Sequence, residues 1–133
     1  MSKVNKGSCM CGEIQFEFSD TNCSFNLCHC QMCQKFSGSA FGAFFRAKKE
    51  TFKFIKGEDL EKIYPSSDWA SRAFCSNCGS SIRYIYHEKP ENVYLSAGLL
   101  DGKTELKPVR HIFTKDKCQW FDITDNIPQV EKF

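Results

Sequence analysis

The chain has 133 residues, 41% of them hydrophobic and 26% charged, with a formal net charge of +2. That length suits one domain with a sizeable core, and so small a charge gives no electrostatic ground for a nucleic-acid or membrane partner. The count that stands out is nine cysteines.

The opening "MSKVNKGSCMCGEIQF" contains no apolar h-region, so no secretory signal is expected. No apolar run approaches the ~20 residues needed to span a bilayer. With an odd cysteine count, these features favour a cytoplasmic chain with reduced or metal-bound thiols over a disulfide framework. Cys9 and Cys11 form the first cluster, an i, i+2 pair. Full extension would hold them ~6.6 Å apart, wider than two sulfurs sharing one zinc at ~2.3 Å. The chain must bend there, and Gly12 gives it room. "EIQFEF" then alternates Ile14, Phe16 and Phe18 as a half-buried strand, closed by a turn at Ser19-Asp20.

Cys23 stands alone, and "CHCQMC" follows with Cys28, Cys30 and Cys33. His29 points away from its flanking cysteines on an extended segment, so it reads as a packed or surface histidine rather than a ligand. A short helical turn is expected after Cys30, and Ser37 and Ser39 flank Gly38 in a turn. The runs "SAFGAFFRA", "TFKFIKG", "EKIYP", "SRAFC", "SIRYIY", "NVYLSAG" and "RHIF" are rich in aromatic and β-branched residues. Turn signals at residues 57–59, 65–68, 77–79, 89–90 and 101–102 separate them. A second helical turn is expected around Leu99. Cys75 and Cys78 form a C-x-x-C knuckle, and Gly79 supplies the positive φ it needs. A redox reading of C-x-x-C would need a βαβ setting that is absent. No segment keeps a 3.6-residue period for twelve residues. The fold class is therefore all-β, with one domain over residues 1–133 built from short antiparallel sheets stapled by zinc. The thirteen phenylalanines are mostly core, and Phe41, Phe44 and Phe45 could also line a wall beside a metal.

Two closed four-thiolate sites need eight ligands, and the three clusters hold seven. The simplest division gives Cys9, Cys11, Cys75 and Cys78 to one structural site and leaves Cys28, Cys30 and Cys33 with an open position. The first pattern is that of structural zinc and the second that of catalytic zinc. Cys23 or Cys118 could close the second site instead. The spacing matches neither common iron–sulfur pattern. Seven thiolates and two divalent ions together subtract three charges, so the formal +2 becomes −1 in the loaded chain.

"GSCMCGEIQFEF", "CHCQMCQKFSGSAFGAFF", "FCSNCGSSI" and "RHIFTKDKCQWFDI" together resemble the glutathione-dependent formaldehyde-activating enzyme family, which includes the centromere protein V domain. The resemblance runs from about Gly7 to about Ile123. It implies a beta-tent fold with zinc knuckles and the same four-plus-three ligand division, with Cys28, Cys30 and Cys33 catalytic. The implied activity is a carbon–sulfur lyase or synthase acting on adducts of glutathione and an aldehyde, such as S-(hydroxymethyl)glutathione.

A substrate thiol on an open zinc position would be held deprotonated at neutral pH and could attack an aldehyde carbon. Alternatively, zinc could bind the aldehyde oxygen or a water. Ser37 and Ser39 could donate to the aldehyde oxygen, but read first as turn residues. Lys35, Arg46 and Arg72 could hold glutathione carboxylates. Tyr84, Tyr86 and His87 read as a strand end, with His87 a possible proton carrier. Two other functional classes are a zinc enzyme for another small thiol or aldehyde and a non-catalytic zinc-stabilised binding module. A binding module needs only the four-cysteine site, so the C-x-C-x-x-C cluster discriminates between them.

Overall fold

Period-two alternation of apolar residues sets the architecture. The computed structural model describes residues 4–19 and 23–133, so the expected turn at Ser19-Asp20 lies partly outside the described residues, at Asp20. Strands β1 (Asn5–Ser8), β2 (Gln15–Phe18), β3 (Ser24–Cys28) and β4 (Gly42–Lys48) come first, with helix α1 (Gln31–Ser37) between the last two. Then follow β5 (Phe52–Lys56), β6 (Glu61–Tyr64), β7 (Ala70–Cys75), β8 (Ser81–Tyr86), β9 (Asn92–Ser96), β10 (Leu100–Asp101) and β11 (Arg110–Ile112). A four-stranded sheet has the order β10-β1-β2-β5, and a seven-stranded sheet has the order β11-β3-β4-β9-β8-β7-β6.

The all-β class and the short sheets are as expected. Strand β11 lies parallel to β3, whereas the other pairs are antiparallel. A parallel pair requires a long crossover, and most of the chain lies between these two strands. The helical turns expected after Cys30 and around Leu99 are α1 and a 3-10 turn at Ala97–Leu99. Strands β1, β3 and β10 were not evident in the sequence. The segment "NKGS" of β1 is polar, and β10 has only two residues. In β3 the apolar alternation is confined to Phe25 and Leu27.

One face of the large sheet packs on the small one. Phe25 and Leu27 of β3, Phe45 and Ala47 of β4, and Val93 and Leu95 of β9 meet Phe16 and Phe18 of β2 in one buried cluster. The Phe18 and Phe45 rings lie 4.9 Å apart. Each of the phenylalanine, leucine and valine side chains contributes about 1.5–3 kcal/mol on full burial. Gly7 of β1 lies under the Phe16 ring, where an added Cβ would collide with it.

The residues between these core positions point the other way. Cross-strand register sets Arg72, Tyr84, Tyr94, Arg46 and Ser24 opposite one another over five adjacent strands. A second row holds Arg110, Asn26, Phe44 and Ser96. A third holds Ile112, Cys28 and Gly42. Helix α1 packs on this face, where Cys33 joins Cys28, Phe44 and Ile112 in a separate buried cluster.

Candidate functional site

The four-cysteine group joins the two sheets. Cys9 and Cys11 sit on the bend between β1 and β2, which is closed by Gly12 N–H donating to Cys9 O at 3.0 Å. Gly12 has φ 79°, so the bend is made where glycine was expected to allow it. Cys75 ends β7, and Cys78 lies in the following turn, where Gly79 N–H donates to Cys75 O at 2.8 Å. Met10 N–H reaches across to Ser80 Oγ at 2.9 Å, tying one knuckle to the other. The four sulfurs lie within 4.8 Å of one another. Two separations, Cys9 to Cys11 at 3.5 Å and Cys11 to Cys75 at 3.9 Å, bracket the edge of about 3.8 Å of a tetrahedron with ~2.3 Å metal–sulfur bonds. Hydrogen bonds from Ser80 hydroxyl and backbone hold the Cys78 thiol down to about 5, while burial pushes Cys75 up to about 11.

The three-cysteine group is built at a strand-to-helix junction. Cys28 ends β3. Cys30 caps α1 with extended backbone, and its Sγ accepts Cys33 N–H at 3.4 Å. Cys33, in the first turn, is buried. The helix comes this close to β4 because position 42 is glycine. A Cβ on Gly42 would stand 3.2 Å from Cys33 Cβ and would collide with the Phe44 ring. The three sulfurs also lie within 4.8 Å of one another.

Arg72 completes this group. It is only 5% exposed, yet its Nη1 donates to Cys33 Sγ at 3.5 Å. Its guanidinium lies 5.3 Å from the Phe36 ring centroid and 5.2 Å from that of Tyr84, so aromatic faces replace much of its lost hydration. Cys30 is the thiol favoured to ionise. Hydrogen bonds with Cys28 and Cys33 lower it to about 2, with help from Cys33 N–H and the Arg72 charge. Cys28 is pushed up by its bonds to Cys30 and Cys33 and by burial. Cys33 gains from Cys28 but loses more to Cys30 and burial, and rises to about 11.

Both groups could hold a divalent, thiophilic cation: their donors are all sulfur and are already gathered within coordinating reach. Among the described residues, Cys23 and Cys118 belong to neither group. Cys23 packs against the main core cluster. His29 is not a ligand either. It is fully buried, with Nε2 at 2.8 Å from His111 Nδ1, and His111 Nε2 continues to Asp125 at 3.1 Å. Burial, then the His111 charge, lowers its pKa from the ordinary value.

A cavity of about 570 Å³ opens beside Cys28, Cys30 and Cys33. Its lining includes Trp69, Tyr84, Tyr86, Tyr94, Phe113 and Arg72. An annex of about 130 Å³ shares Cys28, Tyr84, Tyr94 and Ile112 with it and adds Arg46 and Arg110. Tyr84 and Tyr94 stack with centroids 4.5 Å apart. Burial raises the Tyr84 phenol well above its usual range, so it stays protonated at neutral pH.

The structure thus brings Arg72, Arg46, Tyr84 and Tyr86 to the cavities. Phe44 lines the annex, Phe45 is core, and Phe41 packs on His29. Ser37, Ser39, Lys35 and His87 do not line either cavity. Ser37 Oγ donates to Cys33 O at 2.7 Å, and His87 pairs with Ser71 Oγ at 2.9 Å. Sequence reasoning missed Trp69, Tyr94, Phe113 and Arg110. The alternation within "NVYLS" carried the signal for Tyr94, since Val93 and Leu95 take the core face.

Residues 4–116 match the family model described as glutathione-dependent formaldehyde-activating enzyme. A Schizosaccharomyces pombe protein named an uncharacterised lyase is 27% identical over 120 residues, covering 90% of this chain and 85% of that one. A Halomonas elongata protein, provisionally named a glutathione-dependent formaldehyde-activating enzyme, is 28% identical over 125 residues, covering 89% and 80%. The crystal structure of a Rhodobacter sphaeroides protein superposes with a TM-score of 0.63 at 21% identity, over 75% of this chain and 91% of that one, which is a likeness of fold. With the family model spanning most of its length, and both cysteine groups assembled within it, the chain belongs to the glutathione-dependent formaldehyde-activating enzyme family.

Proposed function

We propose that the protein is a zinc-dependent carbon–sulfur lyase or synthase that makes and breaks adducts between a thiol, glutathione in the family's named activity, and an aldehyde. The observation that carries this reading is a three-thiol group, with a buried arginine against it, in the lining of a cavity of about 570 Å³. A structural staple has no use for such an opening. Cys9, Cys11, Cys75 and Cys78 would hold one zinc, and Cys28, Cys30 and Cys33 a second. At the second site, zinc supplies positive charge that keeps a sulfur donor ionised at neutral pH without abolishing its nucleophilicity.

The chain's own residues do the rest. Arg72 offsets negative charge accumulated on the thiolates. The stacked Tyr84 and Tyr94 and the rings beyond them exclude water and confine the aldehyde near the sulfur. In the synthetic direction, the sulfur electron pair forms the C–S bond, the carbonyl π pair moves to oxygen, and the thiol proton ends there. Cleavage reverses each transfer.

The test is cobalt substitution followed by addition of glutathione. The spectrum of the three-thiol site should shift towards four sulfurs while that of the other site stays unchanged, and Cys30→Ser should remove both the shift and any rate enhancement of adduct formation. Spectra already showing four sulfurs at both sites, with one lost in Cys23→Ala or Cys118→Ala, would make the protein a zinc-stapled binding module instead.

A further inference from the structure

Thiol and aldehyde must share the cavity beside the three thiols, which has the volume of a drug-sized pocket. Its wall is aromatic: Trp69, Tyr84, Tyr86, Tyr94, Phe113 and Phe133. Only two of its lining residues are acidic or basic, and one of these, Arg72, is engaged through Nη1 by Cys33 and through its plane by two rings, although its Nε, like that of Arg46, has no hydrogen-bond partner. The other is Asp116. The annex has the opposite character. Arg46 and Arg110 line it, no acidic side chain does, and among the described residues neither arginine has an ion pair. Arg46 Nε and Asn26 Oδ1 are buried without a hydrogen-bond partner. A buried guanidinium nitrogen left unpaired is costly, and a carboxylate is its natural complement. The stacked Tyr84 and Tyr94 line both spaces.

We propose that this enzyme's substrate is an adduct of an aromatic aldehyde with a carboxylate-bearing thiol: the ring occupies the main cavity, and the carboxylate lies in the annex against Arg46 and Arg110. The inference rests on the thiol–aldehyde reading for the reacting atoms. In formation, the thiol sulfur bonds to the aldehyde carbon, the C=O π pair becomes a lone pair on oxygen, and that oxygen takes the thiol proton. No oxidant or reductant is needed. A ring gains here both by leaving water and by face-to-edge contact with the wall.

The experiment measures binding by calorimetry, using the full chain with its metal. S-benzylglutathione and S-methylglutathione are thioethers that neither form nor release the adduct, so they report recognition alone. The benzyl compound should bind at least ~10-fold tighter. Trp69→Ala should erase most of that preference. Arg46→Gln should weaken both ligands about 10-fold without altering their ratio, and Arg110→Gln provides the same reading should the first variant not fold. Equal affinity for the two thioethers, absence of binding by both, or indifference to the folded arginine variants would overturn the proposal. Benzyl preference in a protein that shows no adduct chemistry would instead overturn the reaction assigned above and leave this binding site standing. Adduct chemistry with formaldehyde alone, together with equal thioether affinities, would do the reverse.

Discussion

Gly42 and Arg72 are the two residues on which the three-thiol group turns, for different reasons. Gly42 acts by absence. Its missing side chain admits Cys33 and the Phe44 ring, and an added methyl would meet Cys33 Cβ at 3.2 Å. Overpacking of this kind usually costs about 1–3 kcal/mol. Gly42→Ala should therefore lower stability by that amount in denaturant titration and lose metal from the three-thiol site, so that elemental analysis falls from about two equivalents towards one. Retention of both equivalents would mean that the helix can back away without disturbing the ligands. Arg72 acts through its charge and its burial. The charge was legible, and made Arg72 a candidate to hold a carboxylate; the burial was not, since an isolated arginine in "SRAFC" is most simply a solvated charge. Burial came from Cys33 and Phe36 of α1 and Tyr84 of β8 closing on its guanidinium, a long-range event. Cys28, Cys30 and Cys33 were legible because their spacing brings them together locally, at a single strand-to-helix junction.

Among the elements, the two sheets are held by interactions of very different worth. Arg83 on β8 grips Glu61 on β6 across the intervening β7, with Nε to Oε2 at 2.9 Å and Nη2 to Oε1 at 2.7 Å. Glu61's side chain is only 3% exposed. Removing one partner of a buried pair strands the other charge, so Arg83→Met should cost about 3 kcal/mol or more. Lys53 to Glu17, at 3.1 Å in the small sheet, has its lysine 71% exposed. Lys53→Ala should therefore change stability by less than about 1 kcal/mol. Urea titration of both variants checks the contrast, and similar losses would show that β6 is held mainly by its backbone ladder. The strand in "EIQFEF" was readable because its period directly reflects two unlike faces, and that in "SIRYIY" because it is rich in aromatic and β-branched residues. Strand β1 was not, because "NKGS" has almost no apolar face of its own and earns its place between β10 and β2 through backbone pairing.

At the scale of the whole molecule, the four-cysteine group connects a bend in the small sheet to the end of a strand in the large one. Structural zinc in small peptides contributes roughly 10–16 kcal/mol of apparent binding free energy, as much as the entire net stability of an ordinary domain, about 5–15 kcal/mol. Cys75→Ser or Cys11→Ser should accordingly leave the protein unfolded or insoluble. Cys30→Ser should leave it folded, with one zinc equivalent fewer. Circular dichroism with elemental analysis separates the two outcomes, and equal melting of both classes would refute the division into structural and open sites. Acid should strip either site, because each ligand must remain deprotonated to bind: metal retention falls as pH falls. By itself, the sequence determined the all-β class, the cysteine clusters and the arithmetic of four and three, since these follow from spacing and periodicity within short segments. Only the tertiary structure decided that Arg72, Tyr84, Tyr94 and Arg46 stand in one row beside the three thiols. That row exists through the register of separate strands, and register is set by how both sheets bury their apolar faces together.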